Sequence, residues 1–192
     1  MSVGQNNDGR PYVVGAAAGL VAWLVGYVLT YLLSATELDD SLINRFVQFA
    51  EGDSATYELV GWVFYNAHFV SIRYVNVPIS LPQNFVGGED GFSVVLFVVP
   101  PLLLFAAGLA IGRYRGIADT AEGAITGALV VPGYLVLSVA GVFLFEVTVG
   151  DASGAPALLP ALVLAGLLYP AVFGALGGVV AAATTDEQSV LS

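Results

Sequence analysis

Residues 11–33 read PYVVGAAAGLVAWLVGYVLTYLL, a run of 23 residues that contains no charged side chain. As an α-helix this run would be about 34 Å long, which exceeds the hydrocarbon core of a bilayer at about 30 Å. The apolar part of a signal peptide is shorter, about 7 to 15 residues, and follows a basic segment. Here only Asp8 and Arg10 precede the run closely. The stretch therefore predicts an uncleaved membrane-spanning helix.

Three further stretches have the same character: residues 92–112, 121–145 and 157–183 are apolar, and none has an ionisable side chain at its centre. Across the chain 57% of the residues are hydrophobic and 10% are charged, and the mean hydropathy is +0.85. This apolar content exceeds what a water-soluble domain of 192 residues can bury. We therefore expect an all-α membrane protein, in which residues 1–192 form a single membrane domain built as a bundle of about four transmembrane helices.

The arginines indicate how the helices are oriented. The loop between the second and third spans holds Arg113 and Arg115, two of the five arginines in the chain. Because cytoplasmic loops are enriched in basic residues, we expect this loop to be cytoplasmic. Both termini are then cytoplasmic, and the chain is a multi-pass protein of the cell membrane. Residues 34–91, between the first and second spans, form a small extracytoplasmic insert.

A fifth span, within residues 54–77, is the alternative to this topology. Its uninterrupted apolar part, residues 59–72, would form a helix of only about 21 Å, which is shorter than the hydrocarbon core. Arginine counting does not decide, because both topologies have three of the five arginines inside. We favour four spans, with a short helix in the insert from Ser54 to about Phe64 and a short strand near residues 70–75.

The charged residues are strongly unbalanced: five Arg, no Lys and fifteen acidic residues give a net charge of −10 and a sequence pI near 4.1. This balance excludes a nucleic-acid partner. An acidic surface without lysine resembles the composition of haloarchaeal proteins, where molar salt screens carboxylate repulsion over roughly 3 Å. An acidic binding surface for a specific partner is the alternative. The absence of cysteine excludes disulfides, thiolate metal sites and a cysteine nucleophile.

One short stretch is distinctive. Residues 61–69 read GWVFYNAHF, and a later span carries the pair Pro100-Pro101. With these features the chain resembles uncharacterised small multi-pass membrane proteins of haloarchaea. The resemblance implies a membrane protein from a high-salt habitat, and it implies no activity, since none is established for such proteins.

Glycines recur four residues apart, with one pair in every predicted span. Two glycines at this spacing lie on one helix face, where a neighbouring backbone can approach closely. We expect them to pack the bundle, and homo-oligomerisation through the first or fourth helix is the alternative. The pairs are Gly15 and Gly19, Gly108 and Gly112, Gly123 and Gly127, and Gly174 and Gly178.

Prolines interrupt three of the predicted spans. Pro100 and Pro101 lie in the second, Pro132 in the third and Pro170 in the fourth. Each lacks an N–H and displaces the carbonyl of an earlier residue, so we expect helix kinks at these positions. Neighbouring helices can satisfy the freed carbonyls, or the carbonyls can line a transport cavity.

His68 is the only histidine and the first residue to consider for catalysis. A single histidine without an H-E-x-x-H pattern does not build a zinc site, and no G-x-S-x-G elbow accompanies it. We therefore predict no catalytic, metal-binding or cofactor-binding residue, and we interpret His68 as a structural hydrogen-bonding residue. Apolar surface in the insert must still be covered, so its aromatic part is a candidate docking surface. That surface comprises Trp62, Tyr65, Asn66, His68 and Phe69.

These patterns favour a non-enzymatic structural or accessory membrane component over two other classes. Its expected partners are the lipid bilayer and another membrane or envelope protein, and a homo-oligomer remains open. A small oligomeric transporter or channel subunit is the alternative, but ion-coupled transporters usually carry ionisable residues within their spans, and these spans have none at their centres. An intramembrane enzyme would need a polar constellation that the sequence does not offer.

Overall fold

The computed structural model describes residues 10–78, 81–87 and 91–190. The predicted cytoplasmic start at residues 1–9, and two short pieces of the predicted insert, lie outside the described residues. The described part forms six helices: α1 (Arg10–Asp39), α2 (Leu42–Glu51), α3 (Thr56–Asn66), α4 (Val94–Arg115), α5 (Thr120–Leu144) and α6, from Leu158 to Val190. Of these, α1, α4, α5 and α6 are long and apolar enough to cross a membrane, which confirms the four long apolar helices expected from the sequence.

A tight connection joins α4 to α5. Gly116 ends α4 in the left-handed region with φ 62°, a conformation that glycine adopts without steric cost. Asp119 then caps α5, because its side chain accepts a hydrogen bond from the backbone N–H of Glu122 at 2.8 Å. The short loop makes the two helices antiparallel neighbours.

Each predicted proline kink coincides with a change of helix type. Both α4 and α5 contain a 3₁₀ stretch, Val94–Val98 and Ala128–Val130, directly before the α-helical turn that carries their prolines. In α6 a π-helical stretch, Ala161–Leu168, comes immediately before Tyr169 and Pro170. A proline cannot donate the usual i to i−4 hydrogen bond, and these changes of winding accommodate the missing donor.

The glycine pairs lie where the long helices touch. A Cβ atom added to any of the eight glycines would overlap an atom of a neighbouring helix, so these backbones approach more closely than larger residues allow. They are therefore used within one chain and do not form an exposed glycine face for a second copy. The contacts are Gly15 with Leu129, Gly19 with Val130, Gly108 and Gly127 with Gly174, Gly112 with Ala181, and Gly123 with Gly178.

Three short strands and α2 lie together at one end of the bundle, and we call them the cap. Strands β1 (Ile72–Val75), β2 (Val147–Val149) and β3 (Ala152–Pro156) form an antiparallel sheet in the order β1-β3-β2. In this register Arg73 is opposite Ala155, and Thr148 is opposite Ser153. The molecule is therefore not all-α as expected, because the connection between α5 and α6, for which the sequence predicted no strand, forms two paired strands.

The structure also decides the uncertain segment 54–77. It contains α3, which has 11 residues and a length of about 16 Å, followed by a reversal of the chain and then β1. A helix of this length does not cross a bilayer, so the segment is not a fifth span. The N-cap of α3 is Ala55, one residue after the predicted N-cap Ser54, and α2 was not predicted.

Candidate functional site

The candidate site is the segment that contains α3 and the chain reversal after it, residues 56–71, which we call the inserted segment. Its first residue lies beside the cap end of α1, where the Thr56 hydroxyl donates to the Asp39 carboxylate at 2.8 Å. Two residues before the end of α3, the Phe64 ring meets the Trp23 ring edge-on at 5.1 Å. The segment therefore runs down into the bundle alongside α1.

The side chain of His68 reaches furthest along α5. His68 Nε2 lies 2.8 Å from the hydroxyl of Tyr134, which is ten residues before the end of α5 at Leu144. Ten helical residues correspond to about 15 Å, and the 25 residues of α5 to about 37 Å. The backbone itself turns back near the cap end, because the Ser71 carbonyl accepts from the N–H of Ala157, the residue directly before α6, at 3.0 Å. The chain thus approaches the bundle as a helix, reverses near the outer ends of the long helices and continues as β1.

Burial contradicts the predicted docking surface. Trp62, Tyr65, Asn66 and His68 are all at most 2% exposed, and only Phe69 is open, at 59%. Side chains inside the bundle are not available to a partner, so four of the five predicted docking residues are core residues. The physical reason is that α3 is apolar on all faces, with Glu58 as its one charged residue, and such a helix requires burial all round.

Three side chains of the inserted segment bind α5 or its end from one helix face. The Trp62 indole Nε1 donates to the Phe145 carbonyl at 2.7 Å. One turn later the Tyr65 hydroxyl donates to the Ser138 carbonyl, and His68 meets Tyr134 one turn further on. Their spacing of three residues aligns all three polar groups with α5.

The hydrogen bonds of His68 define its protonation. Nδ1 lies 2.8 Å from the Phe64 carbonyl, which only accepts, so Nδ1 carries the proton and Nε2 accepts from the Tyr134 hydroxyl. Burial lowers the pKa of His68 to about 4, against the opposing effect of the Phe64 carbonyl. The imidazole is therefore neutral at pH 7, and both nitrogens are already engaged, which suits a structural bond rather than acid–base chemistry.

Asn66 holds the chain reversal. Its amide nitrogen donates to the carbonyls of Val70 at 2.8 Å and Gln83 at 3.1 Å, and its oxygen accepts from the Phe85 N–H at 2.8 Å. Phe69 adopts a left-handed conformation with φ 59°. Three backbone groups in and beside the reversal are thus satisfied by a single side chain, as a buried polar backbone requires.

Two glycines outside the predicted pairs let α3 approach α5. A Cβ atom on Gly61 would overlap the Phe145 ring, and one on Gly141 would lie 2.5 Å from the Tyr65 hydroxyl. Sequence reasoning missed both residues because they are on different elements and form no four-residue pair. Their only signal in the sequence is an isolated glycine in a helical pattern, which indicates close packing when retained.

A small cavity lies at the cap end, above the inserted segment. Its volume is about 220 Å³, and its lining includes Glu37, Trp62, Phe85 and Phe92. Small-molecule sites usually measure about 300 to 1,000 Å³, so this cavity is below that range. Among the described residues, no group of three or more His, Cys, Asp or Glu side chains could hold a metal ion.

Comparisons with known proteins give one match. The model of a family described as "Family of unknown function (DUF7978)" matches residues 2–185 of the 192-residue chain. No curated protein and no solved structure matches the chain.

Proposed function

Because the chain belongs to the family of unknown function DUF7978, whose model matches residues 2–185, we propose a function from the geometry alone: a non-enzymatic, multi-pass component of the cell membrane. In this proposal the four long helices cross the bilayer, and the cap is extracytoplasmic. The component is structural or accessory, and its partner is another membrane or envelope protein that meets the cap.

The outward faces of the four long helices carry the membrane part of the proposal. In each of their most apolar windows only 28% to 39% of the residues are buried inside the protein. Large apolar side chains therefore point outward from helices that carry almost no charged residues along their apolar windows. Each exposed apolar Å² costs roughly 25 cal/mol in water, which supports hydrocarbon as the surrounding solvent. On α1 alone, the exposed residues include Val13, Val21, Leu24, Val28 and Leu32.

Within a bilayer the inserted segment would lie at the outer ends of the long helices, with the His68 side chain reaching toward the hydrocarbon core. Irregular backbone at membrane depth is tolerated only where protein covers it. The reversal after α3 is covered in this way, because His68 and Val70 are fully buried and Asn66 binds the Val70 carbonyl, although the Phe69 side chain is 59% exposed. This agreement supports a bilayer-embedded bundle in which the inserted segment packs against the long helices.

The charged residues support the orientation and a partner at the cap. Arg113 and Arg115 lie at the end opposite the cap, which suits a cytoplasmic loop there and cytoplasmic termini. Near the cap, seven exposed acidic residues outnumber two exposed arginines among the described residues. An acidic surface of this kind favours a partner with basic groups. The acidic residues are Glu37, Asp39, Asp40, Glu51, Asp53, Glu146 and Asp151, and the arginines are Arg45 and Arg73.

Neutral His68, with both ring nitrogens bonded, supports the non-enzymatic assignment. A His68→Ala strain provides the test of this assignment, provided that the variant protein reaches wild-type abundance. We expect it to match the wild type in any condition where deletion has a phenotype. If the His68→Ala strain instead shows the deletion phenotype although the variant protein is present at normal abundance, catalysis would be favoured.

Membrane insertion is tested by fractionation and labelling. We expect the protein in the membrane pellet after ultracentrifugation of a detergent-free lysate. A monodisperse protein in the supernatant would overturn the proposal. Because the chain has no cysteine, Ser153→Cys in the cap and Ala118→Cys in the loop between α4 and α5 can be labelled cleanly in intact cells with a membrane-impermeant maleimide. Labelling of Ser153→Cys alone is expected.

The accessory role is tested by affinity purification from membranes in mild detergent and molar salt. We expect a stoichiometric companion that is lost when cap carboxylates such as Asp53 and Asp151 are changed to amides. Repeated recovery of the protein alone, at an amount equal to its membrane abundance, would count against this role.

A transporter or channel subunit is the second candidate, favoured by the helix changes beside Pro100, Pro132 and Pro170. Such breaks in winding often occur at functional sites. The fully buried α3 side chains argue against a central pathway, because they pack into one core with buried residues of α1 and α5. Solute flux in proteoliposomes that rises with protein content would favour this candidate, and flux equal to empty liposomes would exclude it for the solutes tested.

A further inference from the structure

The helix α2 has an apolar face that the rest of the described protein leaves uncovered. Leu42, Phe46 and Phe49 recur at the spacing of one helix face and are 84%, 64% and 91% exposed. The opposite face, with Asn44 and Val47, is buried. Helix α2 is therefore amphipathic in an unusual sense, because its large apolar side chains point away from the protein.

The orientation of this face is fixed by Asn44. Its amide nitrogen donates to the Asp39 carbonyl at 3.1 Å and to Thr56 Oγ1 at 3.2 Å. Its oxygen accepts from the Ala55 N–H at 2.8 Å and from the Ser54 hydroxyl at 3.2 Å. These bonds attach α2 to the end of α1 and to the start of α3, so the helix cannot roll to hide its apolar residues.

Both ends of α2 are also closed. The Ser41 hydroxyl caps the first turn by accepting from the Asn44 N–H at 3.2 Å. Gly52 ends the helix in the left-handed region with φ 86°, and its N–H binds the Gln48 carbonyl. The helix is a defined element with its own start and stop rather than a frayed continuation of α1.

The position of α2 indicates what covers its apolar face. It begins three residues after α1 ends at Asp39, and the exposed apolar surface of α1 reaches Leu32 and Leu33 about two turns before that end. Between them Tyr57, 63% exposed, stacks on Tyr31 of α1 with ring centroids 5.7 Å apart. Tyr57 thus adds an exposed aromatic side chain between the outward face of α1 and α2, although the last turn of α1 also carries the exposed carboxylates of Glu37 and Asp39.

We propose that α2 is an interfacial helix whose apolar face is seated in the outer leaflet of the bilayer, at the boundary between headgroups and acyl chains. The inference rests on the proposed membrane function. Glu51 lies on the opposite side of the helix, and Arg45, three residues after Leu42 and four before Phe49, borders the apolar face. Phenylalanine and leucine side chains on one face, with polar side chains on the other, are typical of helices that lie in this layer.

The test uses single-cysteine variants of the full chain, each carrying a nitroxide spin label and reconstituted into lipid nanodiscs. Phe49→Cys reports on the apolar face, and Gln48→Cys on the adjacent polar face serves as its matched control. Leu24→Cys, on the outward face of α1 and 51% exposed, reports on membrane insertion itself. Collision with oxygen, which concentrates in lipid, is compared with collision with a water-soluble nickel chelate.

We expect Phe49→Cys to shift toward oxygen, as Leu24→Cys does, whereas Gln48→Cys favours the nickel chelate. If Phe49→Cys behaves as Gln48→Cys does while Leu24→Cys favours oxygen, the inference is wrong and the membrane proposal stands. If Leu24→Cys favours nickel, the membrane proposal itself fails. Protection of Phe49→Cys from both reagents, together with spin–spin broadening, would assign the face to a second copy and overturn the inference. Gel filtration of each variant checks that it is folded.

Discussion

At the scale of single residues, Trp62, Tyr65 and His68 bind α5 or its end, and Asn66 closes the reversal. Glu58 differs, because its Oε2 atom is buried without a hydrogen-bond partner among the described residues. His68 has no carboxylate neighbour, and its bond to Tyr134 joins two elements that are 66 residues apart in sequence. Buried hydrogen bonds contribute little net stability when both partners are present, but an unpartnered buried group is costly. The contribution of the His68–Tyr134 hydrogen bond to stability is therefore measured by removing one of its two partners.

Tyr134→Phe removes the hydroxyl and leaves Nε2 of His68 buried without a donor. We expect a loss of about 1 to 3 kcal/mol in the free energy of unfolding, measured by thermal denaturation in detergent. Tyr114→Phe is the matched control, because Tyr114 is 79% exposed, and it should change stability by less than about 0.5 kcal/mol. Equal effects of the two substitutions would show that the His68 bond does not hold the segment.

The lowered pKa of His68 predicts a dependence of stability on pH. Because the folded pKa is about 4 and the usual value is 6.5, the unfolded chain binds the proton first as the pH falls. The stability from neutral His68 is complete above pH 6.5 and is lost progressively toward pH 4, with a full effect of about 3 kcal/mol. His68→Gln carries no titrating group, so its unfolding temperature should fall less than that of the wild type over this range. Parallel pH curves would contradict the assignment.

At the scale of elements, the sequence predicted the long helices well because length and apolar content are strong local signals. It did not predict where α3 lies, because an apolar 11-residue helix suits a docking surface or a core equally until its neighbours are known. The all-round apolar character of α3 was the available clue. Strands β2 and β3 were missed because Gly150, Asp151 and Pro156 indicate a turn, and pairing with β1 is a long-range property.

Close helix contact predicts a penalty for enlarging Gly127. An added methyl group would overlap the Gly174 carbonyl, and overpacking of this kind costs about 1 to 3 kcal/mol. The higher helix propensity of alanine recovers at most about 1 kcal/mol, so Gly127→Ala should lower the unfolding temperature. Ala110→Val enlarges an exposed position of α4 and is the control, expected to be near neutral. A stabilised Gly127→Ala protein would show that α5 and α6 are further apart than described.

At the scale of the whole molecule, charge is divided unequally between the two ends. Carboxylates crowd the cap, whereas the opposite end carries both arginines of the connection between α4 and α5. Like charges at the cap repel one another, and dissolved salt screens this repulsion. The bundle core, by contrast, contains no charge that salt could screen at the centres of the long helices.

Lowering the salt concentration should therefore weaken the cap before the bundle. We expect the unfolding temperature to fall when KCl is reduced from about 2 M to about 0.1 M, where the Debye length is roughly 10 Å. A variant with Asp53→Asn and Asp151→Asn should lose less, because fewer carboxylates remain to repel. If both proteins respond equally, the exposed cap carboxylates are not the source of the salt dependence.

Strand β1, which follows the inserted segment, pairs with a strand that the ribosome synthesises much later. β1 ends at Val75, but it pairs with β3, which starts at Ala152, and the bonds of Trp62, Tyr65 and His68 are likewise to residues after Val130. A nascent chain that has completed only its first half can pack α3 against α1, but it still lacks every residue that binds Trp62, Tyr65 and His68. These three buried polar groups therefore gain their partners only after α5 has been synthesised.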